Sequence, residues 1–465
     1  MRKAALHNLG CKVNAYETES MQQMLEAAGY EIVPFEEWAD VYVVNTCTVT
    51  NMADRKSRQM LHRAKKKNPD SVVVAAGCYV QVQAEQGQLE EGVDIWIGNN
   101  KKHELAGLLE TYFTKMEKEG KAKPGNGSHT EEIEDIASEH TYEELSVCRT
   151  AEHTRVFLKV QDGCNQFCSY CIIPYARGRV RSRSISNVRK EVEALAANGY
   201  QEVVLTGIHL SSYGVDFAQG QGKIGLLELI QEVHKVPGIE RIRLGSLEPK
   251  IITEQFVQEL AKLPKICPHF HLSLQSGCDT TLQRMNRKYT CAEYEEGCQV
   301  LRRYFDHPAI TTDVIVGFPG ETEEEFQITR EFLKRIGFFE IHVFKYSIRK
   351  GTRAAVMQGQ VPEEIKNKRS DTLLSDTALM KQEFLEWYLS KELELLVEEK
   401  AVIQGKEYFL GHTKEYVRVA VPVSGCGKPG MENQFVVRTA SSIWNGQEKG
   451  NIRKAGAQRM MLLAT

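Results

Sequence analysis

Val160-Gln161-Asp162-Gly163-Cys164-Asn165-Gln166-Phe167-Cys168-Ser169-Tyr170-Cys171 places three thiols within eight residues, at the spacing C-x3-C-x2-C. Separate structural roles would not need them so close. Clustered soft thiolates suit iron–sulfur iron or zinc, and the fourth ligand decides between them. A structural zinc site is normally closed by four protein ligands, and no His or Cys follows at a convenient distance. A four-iron cluster on three cysteines instead leaves one iron open to a small molecule. The competing readings are a chance grouping of cysteines and an incomplete zinc knuckle.

Outward from this stretch, the chain from about 151 to 350 alternates strand and helix patterns. Strands are expected at 156–161, 202–206, 240–245, 269–275, 310–317 and 340–346, with helices near 187–198, 225–235, 253–263, 291–305 and 322–336. Six βα units suit an open or partial barrel, whose ligands sit at the carboxyl ends of the strands. The thiol loop follows the first strand. Leu205-Thr206-Gly207 ends the second, Ser273-Leu274-Gln275-Ser276-Gly277 the fourth, and Asp313-Val314-Ile315-Val316-Gly317-Phe318-Pro319-Gly320-Glu321 the fifth. A glycine after a strand usually marks only a tight turn; their order along the chain is what groups them. Directly after the thiols comes Arg177-Gly178-Arg179-Val180-Arg181-Ser182-Arg183, with no acid. Arginine binds phosphate bidentately, so Arg177, Arg179, Arg181 and Arg183 are candidate contacts to a substrate phosphate. A basic surface turn is the alternative.

The first hundred residues carry one pattern three times. Lys3–Cys11, Val41–Cys47 and Ser71–Cys78 are apolar strands, each ending in a cysteine. Helical patterns at about 15–28 and 51–67 separate them, so a parallel α/β sheet is expected. Ligands gather at the carboxyl ends of such strands, so Cys11, Cys47 and Cys78 should converge on a second metal site. The alternative is three buried small apolar side chains, a role cysteine often fills. The helix at 51–67 holds Arg55, Lys56, Arg58, Arg63, Lys65, Lys66 and Lys67 against Asp54, either a solvated face or a phosphate-binding surface.

At 465 residues the chain suggests about three domains at ~150 residues each. The turn-rich Lys121–Ser128 and the acidic Glu131–Asp135 read as a mobile linker, 115–149, between an α/β domain at 1–114 and the barrel unit at 150–390. Beyond a helix at about 363–390, short strands divided by Gly, Lys and Asn turns fit a small antiparallel β-barrel over 391–458. Lys414, Tyr416 and Arg418 could contact RNA there, or simply alternate out of a strand. The net charge of −3 favours no polyanionic partner for the molecule as a whole. There is no apolar signal region and no run of ~18 apolar residues. Twelve cysteines without a secretory signal point to metal or redox chemistry in a reducing compartment. A cytoplasmic protein without membrane association is expected. Cys148, Cys267, Cys278, Cys291, Cys298 and Cys426 share no ligand spacing with the two trios.

The thiol loop resembles the radical S-adenosylmethionine (SAM) motif. That resemblance implies a [4Fe–4S] cluster on Cys164, Cys168 and Cys171, whose open iron chelates SAM and cleaves it to methionine and a 5′-deoxyadenosyl radical. It implies SAM contacts at Tyr170, Gly207, Gln275 and Gly317, although two residues of the second-strand motif differ. Leu9-Gly10-Cys11-Lys12-Val13-Asn14, Asn45-Thr46-Cys47-Thr48-Val49 and Gly77-Cys78-Tyr79 resemble the N-terminal motifs of the methylthiotransferases. With the C-terminal part similar to a TRAM domain, the resemblance covers nearly the whole chain. It implies a second [4Fe–4S] cluster on Cys11, Cys47 and Cys78 that carries the sulfur, and SAM as both methyl and radical source. Sulfur insertion at an unactivated C–H bond has no accessible pKa to exploit, so a radical and a nearby sulfur source are required. The thiol loop looks most like the branch acting on threonylcarbamoyladenosine 3′ of the anticodon in tRNA. Expected partners are therefore the tRNA anticodon loop, an external electron donor and a sulfur source. Isopentenyladenosine in tRNA and a ribosomal-protein aspartate are the alternative substrates. An iron–sulfur RNA-binding or redox-sensing protein is the non-enzymatic one.

Overall fold

The computed structural model describes residues 1–87, 90–118, 130–150, 154–217, 224–425, 431–444 and 460–464. Its first unit is a six-stranded, wholly parallel sheet in the order β2-β1-β3-β4-β5-β6. The elements are β1 (Lys3–Asn8), α1 (Lys12–Ala27), β2 (Glu31–Ile32), β3 (Val41–Thr46), α2 (Asn51–Lys67), β4 (Val72–Gly77), α3 (Cys78–Glu85), β5 (Ile95–Ile97), α4 (Leu105–Lys118) and β6 (Thr130–Glu132). β3 and β4 are buried along their whole length, which is why they read as continuous apolar runs rather than alternating ones. Thr50 caps α2 by accepting from the Ala53 amide, a bond of about 1 kcal/mol. β1, β3 and β4 are neighbours whose ends lie level, Asn8 opposite Asn45 and Thr46 opposite Gly77. The loops that follow them therefore open at one edge of the sheet.

The mobile linker expected at 115–149 is not what most of that stretch forms. α4 runs on to Lys118, and β6 adds to the edge of the sheet beside β5. Tyr142 donates to the Lys159 carbonyl at 2.7 Å, and Leu145 and Val147 enter the barrel core. Single apolar anchors spaced among acids leave no periodicity to read. Residues 119–129, the turn-rich part, lie outside the described residues.

The second unit comprises β7 (Arg155–Asp162), α5 (Ile173–Arg177), β8 (Arg181–Ser182), α6 (Ile185–Ala197), β9 (Glu202–Gly207), α7 (Leu226–His234), β10 (Arg241–Leu244), α8 (Glu254–Ala261), β11 (His269–His271), α9 (Asp279–Arg284), α10 (Cys291–Tyr304), β12 (Ala309–Val316), α11 (Glu323–Ile336) and β13 (Glu340–Lys345). Parallel strands β7-β9-β10 and β11-β12-β13 form two sheets joined by parallel bridges Ile242–Ile266 and Leu247–Leu272. This is the open six-unit barrel expected from the alternation. Side chains alternate as strand geometry requires. Val156, Leu158, Val203, Leu205, Ile242, Phe270, Ile310 and Val314 pack in the core under the helices. Their neighbours, among them Phe157, Arg243, His271, Asp313 and His342, share the opposite, inner face.

The long α12 (Glu363–Glu386) leads to a closed barrel of β14 (Glu392–Ile403), β15 (Lys406–His412), β16 (Arg418–Pro422), β17 (Phe435–Trp444) and β18 (Met461–Ala464). All its pairings are antiparallel except β16–β18. β18, which helps close it, lies past the boundary expected at 458. This barrel docks on the amino-terminal ends of the parallel strands. Arg241 donates to the His412 carbonyl, and Arg243 donates to the Thr413 and Lys414 carbonyls. Tyr416 is held at φ +69° between the rings of His269 and His412, beneath Arg155 and Arg243. Tyr416 and Lys414 are thus docking residues rather than RNA contacts, and Arg418 pairs with Glu399. No helix among the described residues is long and apolar enough to cross a membrane.

Candidate active site

Cys11, Cys47 and Cys78 sit at the ends of β1, β3 and β4 and are close enough to act on one another electrostatically. Gly10 has φ +118°, which favours glycine, and a Cβ there would make a tight 3.1 Å contact with that of Cys47. Asn14 ties the first two loops together, donating to the Leu9 and Thr46 carbonyls and lying 3.5 Å from Cys11 Sγ. Arg177 donates from Nε to Cys78 Sγ at 3.1 Å.

The loop of Cys164, Cys168 and Cys171 is pinned from several sides. Gly163 has φ +70°, and a Cβ there would come 1.7 Å from the Arg179 carbonyl oxygen. The Cys164 amide donates to the Gly178 carbonyl, the Ser169 amide to the Met285 carbonyl, and Asn286 Nδ2 to the Phe167 carbonyl. Arg287 Nη1 donates to Cys168 Sγ at 3.3 Å and its Nη2 to the Ser273 carbonyl. Arg287 had no signal in the sequence, because its partner lies far away along the chain.

Burial pushes the thiols of Cys47 and Cys171 up to about 12 and that of Cys164 up to about 11. Without a metal they stay protonated, whereas metal coordination deprotonates a thiol outright. Among the described residues, the trio of potential ligands with donor atoms within 4.8 Å of one another is His271, Asp313 and His342. Neither cysteine trio is drawn up to that spacing, and three soft thiolates without a fourth His or Cys suit an iron–sulfur cluster rather than a closed zinc site. A guanidinium on one sulfur of each trio suits the negative charge of thiolate-bound clusters.

Three of the four arginines expected to bind phosphate do something else. Arg177, Arg181 and Arg183 are buried, at 0%, 0% and 3% exposure. Arg177 forks onto Glu17 at 2.7 and 3.1 Å and also reaches Asp162 and Asn14. Lys159 and Lys102 close on the same Glu17, and Arg181 lies 3.8 Å from Asp162. Arg183 is bound by Glu191 and Glu144. Such a buried network requires partners from both units, and the acids come from α1 and β7, invisible in the local run of arginines. Arg179 is exposed, its guanidinium 4.7 Å from the Phe167 ring centroid. On α2, Arg58, Arg63 and Lys65 pair with Glu90, Glu36 and Asp94, while Arg55, Lys56 and Lys66 are exposed.

Tyr170 meets Phe318 edge-on at 6.3 Å, which brings the thiol loop against the segment after β12. Gly317 there has φ +70° and lies under Lys366. Gly207 faces Gln161, whose Oε1 would be 2.7 Å from any Cβ. Gln275 holds a left-handed φ of +71° while its backbone pairs with β12. All four lie at the carboxyl side of the barrel. The sequence did not single out Glu248, which gathers Gln166 and His209, at 3.2 Å each, beside this loop. Cys267, Cys278 and Cys298 are buried, Cys278 within electrostatic reach of the half-buried Cys291, and Cys148 is exposed beside Gln23. Cys426 lies outside the described residues.

An open parallel barrel with a three-thiol loop after its first strand defines a radical-SAM enzyme. The profile described as "Radical SAM superfamily" matches residues 158–333, and "Uncharacterized protein family UPF0004" matches residues 3–98. The solved radical SAM methyltransferase TsrM of Kitasatospora setae superposes with a TM-score of 0.55 at 16% identity, covering 76% of this chain and 77% of that one. That likeness concerns the fold. Threonylcarbamoyladenosine tRNA methylthiotransferase MtaB of Bacillus subtilis (strain 168) is 41% identical over 94% of this chain and 97% of its own length. The protein of the same name from Aquifex aeolicus (strain VF5) is 42% identical over 87% and 95%. The tRNA-2-methylthio-N(6)-dimethylallyladenosine synthase of Alkaliphilus oremlandii (strain OhILAs) is 36% identical over 85% and 82%. The chain belongs to the radical-SAM methylthiotransferase family, enzymes that use SAM and [4Fe–4S] clusters.

Proposed function

We propose that this enzyme transfers a methylthio group to C2 of threonylcarbamoyladenosine next to the anticodon of tRNA. The observation that carries the reading is the second thiol trio, fixed to the barrel through Arg177, in a chain whose near-full-length relatives bear that activity in their names. An enzyme needing only a radical has no use for a second cluster site. When bound, the clusters and SAM supply the radical, sulfur and methyl chemistry. The chain's own residues do the rest. Arg287 and Arg177 offset thiolate charge at one sulfur of each trio. Cys164, Cys168 and Cys171 would hold the cluster that supplies the radical chemistry, Cys11, Cys47 and Cys78 would hold the one that supplies sulfur, and Tyr170, Gly207, Gln275 and Gly317 would bound the SAM site. An external electron donor and a sulfur source complete the reaction, in the reducing cytoplasm where tRNA is found.

The test is mass spectrometry of tRNA nucleosides after incubation with anaerobically reconstituted protein, SAM, a reductant and sulfide. Methylthio product from tRNA carrying threonylcarbamoyladenosine alone supports the reading. Product only from isopentenyladenosine overturns the choice of nucleoside and keeps the chemistry. SAM cleavage with neither tRNA changed points to a protein substrate.

A further inference from the structure

Lys12 is the residue after Cys11 and the first of α1, where a cation opposes the helix dipole. It is solvent-accessible, yet protein surrounds its ammonium, so it faces an internal space between the N-terminal sheet and the barrel. Its Nζ lies 5.9 Å from the ring centroid of Phe157, an inner-face residue of β7. The charges that act on it are Arg243, Arg155, Cys11 and Asp313. Among the described residues it has no hydrogen-bond or ion-pair partner. Arg243 and Arg155 are committed to Glu202 and Glu398. A solvent-accessible ammonium beside two cations and over the Phe157 ring, with no ion-pair partner among the described residues, is placed to receive an anion.

Asp313 sits on the same inner face. His271 Nε2 is 3.3 Å from its Oδ2, Thr311 Oγ1 stands 3.0 Å from His271 Nδ1, and His342 stacks on His271 at 5.8 Å. His271, Asp313 and His342 have the spacing of a metal site, but Lys12 and Arg243 nearby disfavour a dication. A carboxylate held by one imidazole, with its other oxygen free among the described residues, is instead an acceptor for substrate hydrogen bonds.

We propose that Lys12 and Asp313 select the nucleoside: the Lys12 ammonium pairs with the carboxylate of the threonyl group, and Asp313 accepts from its hydroxyl or ureido N–H. The inference rests on the substrate class proposed above. An isopentenyl group offers neither charge nor donor, and would leave the Lys12 ammonium and the second oxygen of Asp313 without a substrate partner. Sites built around such hydrogen bonds reject the analogue lacking them strongly.

The experiment compares holoenzyme and its Lys12→Ala and Lys12→Gln variants on anticodon stem-loop RNAs. The RNAs carry threonylcarbamoyladenosine, its methyl ester, isopentenyladenosine or unmodified adenosine. Binding is followed by fluorescence anisotropy and methylthiolation by mass spectrometry. The wild type should bind the free acid about 100-fold more tightly than the ester, the loss of one charge-assisted contact. Both Lys12 variants should bind acid and ester equally, because the two changes remove one interaction and do not add. A general folding defect would weaken both RNAs alike and keep their ratio, which overturns the proposal. If the wild type methylthiolates the isopentenyl RNA and not the threonylcarbamoyl RNA, the substrate reading fails and this inference fails with it. If it modifies the threonylcarbamoyl RNA while the losses add, the substrate stands and Lys12 is not its partner.

Discussion

The guanidinium of Arg177 donates to Cys78 Sγ at 3.1 Å and reaches Asp162, which lies at the foot of the Cys164 loop. One side chain therefore joins the two thiol sites. Around it four buried cations, Lys102, Lys159, Arg177 and Arg181, face three buried carboxylates, Glu17, Glu143 and Asp162. The surplus positive charge is directed at the sulfur. Burial pushes the Glu17 carboxyl up, but Arg177, Lys102 and Lys159 hold it well below the usual carboxylate range.

Arg177→Met should accordingly lower stability by about 3–5 kcal/mol, because it leaves Glu17 and Asp162 short of a buried partner. In protein lacking the three barrel cysteines, which isolates the N-terminal site, iron affinity should fall about 10–100-fold. The midpoint potential of what remains bound should become more negative, since a cation has been withdrawn. Iron analysis and EPR-monitored redox titration read both effects. Unchanged iron retention and potential would mean that the Arg177–Cys78 contact has no influence on the site.

Gly163→Ala should destroy the barrel thiol site and spare the other. A methyl 1.7 Å from the Arg179 carbonyl cannot be accommodated without moving backbone, and φ +70° is strained for alanine in any case. Iron per reconstituted chain should fall by half. SAM cleavage should vanish while thermal stability of the N-terminal sheet persists. Full iron loading in the variant would show that the loop tolerates displacement.

Arg287→Gln tests the other guanidinium. Its Nη1 bonds Cys168 Sγ, while Nε and Nη2 hold Tyr289 and the Ser273 carbonyl. Loss of the charge should make the barrel cluster harder to reduce and slow SAM cleavage, with Arg287→Lys intermediate. The readout is the potential of the barrel cluster in protein lacking Cys11, Cys47 and Cys78. An unaltered potential in Arg287→Gln would assign Arg287 to loop packing alone.

What was legible in the sequence was whatever repeats or clusters locally. The thiol spacing, the β-branched runs 41–46 and 72–77 and the six βα alternations are short-range patterns, and the structure has them. The four arginines after Cys171 also looked local, yet Arg177 takes its partners from α1 and β7 and Arg183 takes Glu191 from α6. Burial that depends on the docking of distant units leaves no trace in a seven-residue window. The same holds for Tyr416, which reads as an alternating strand residue but wedges between two histidines of different units.

Those histidines make the docking of the C-terminal barrel sensitive to acid. Burial, with Arg243 and Lys12 nearby, holds His269 well below the ordinary imidazole range. Burial also lowers His412, opposed by Glu398 and reinforced by Arg155 and Arg243. A histidine depressed in the folded state binds its proton first in the unfolded chain, so stability is complete above about pH 6.5 and declines as pH falls. The slope is up to about 1.4 kcal/mol per pH unit for each histidine. Glu202 and Glu398 work in a separate window: burial pushes them up, but their arginine and histidine partners hold both low. Their stabilisation is lost only as pH falls below about 4.3. The urea midpoint, measured from pH 7.5 to 5.5, should therefore decrease well before Glu202 and Glu398 titrate. His269→Gln should flatten that decrease in part, the lowered His412, His7, His234 and His307 supplying the remainder, while lowering the midpoint at pH 7.5. An identical slope in wild type and variant would place the acid sensitivity elsewhere in the molecule.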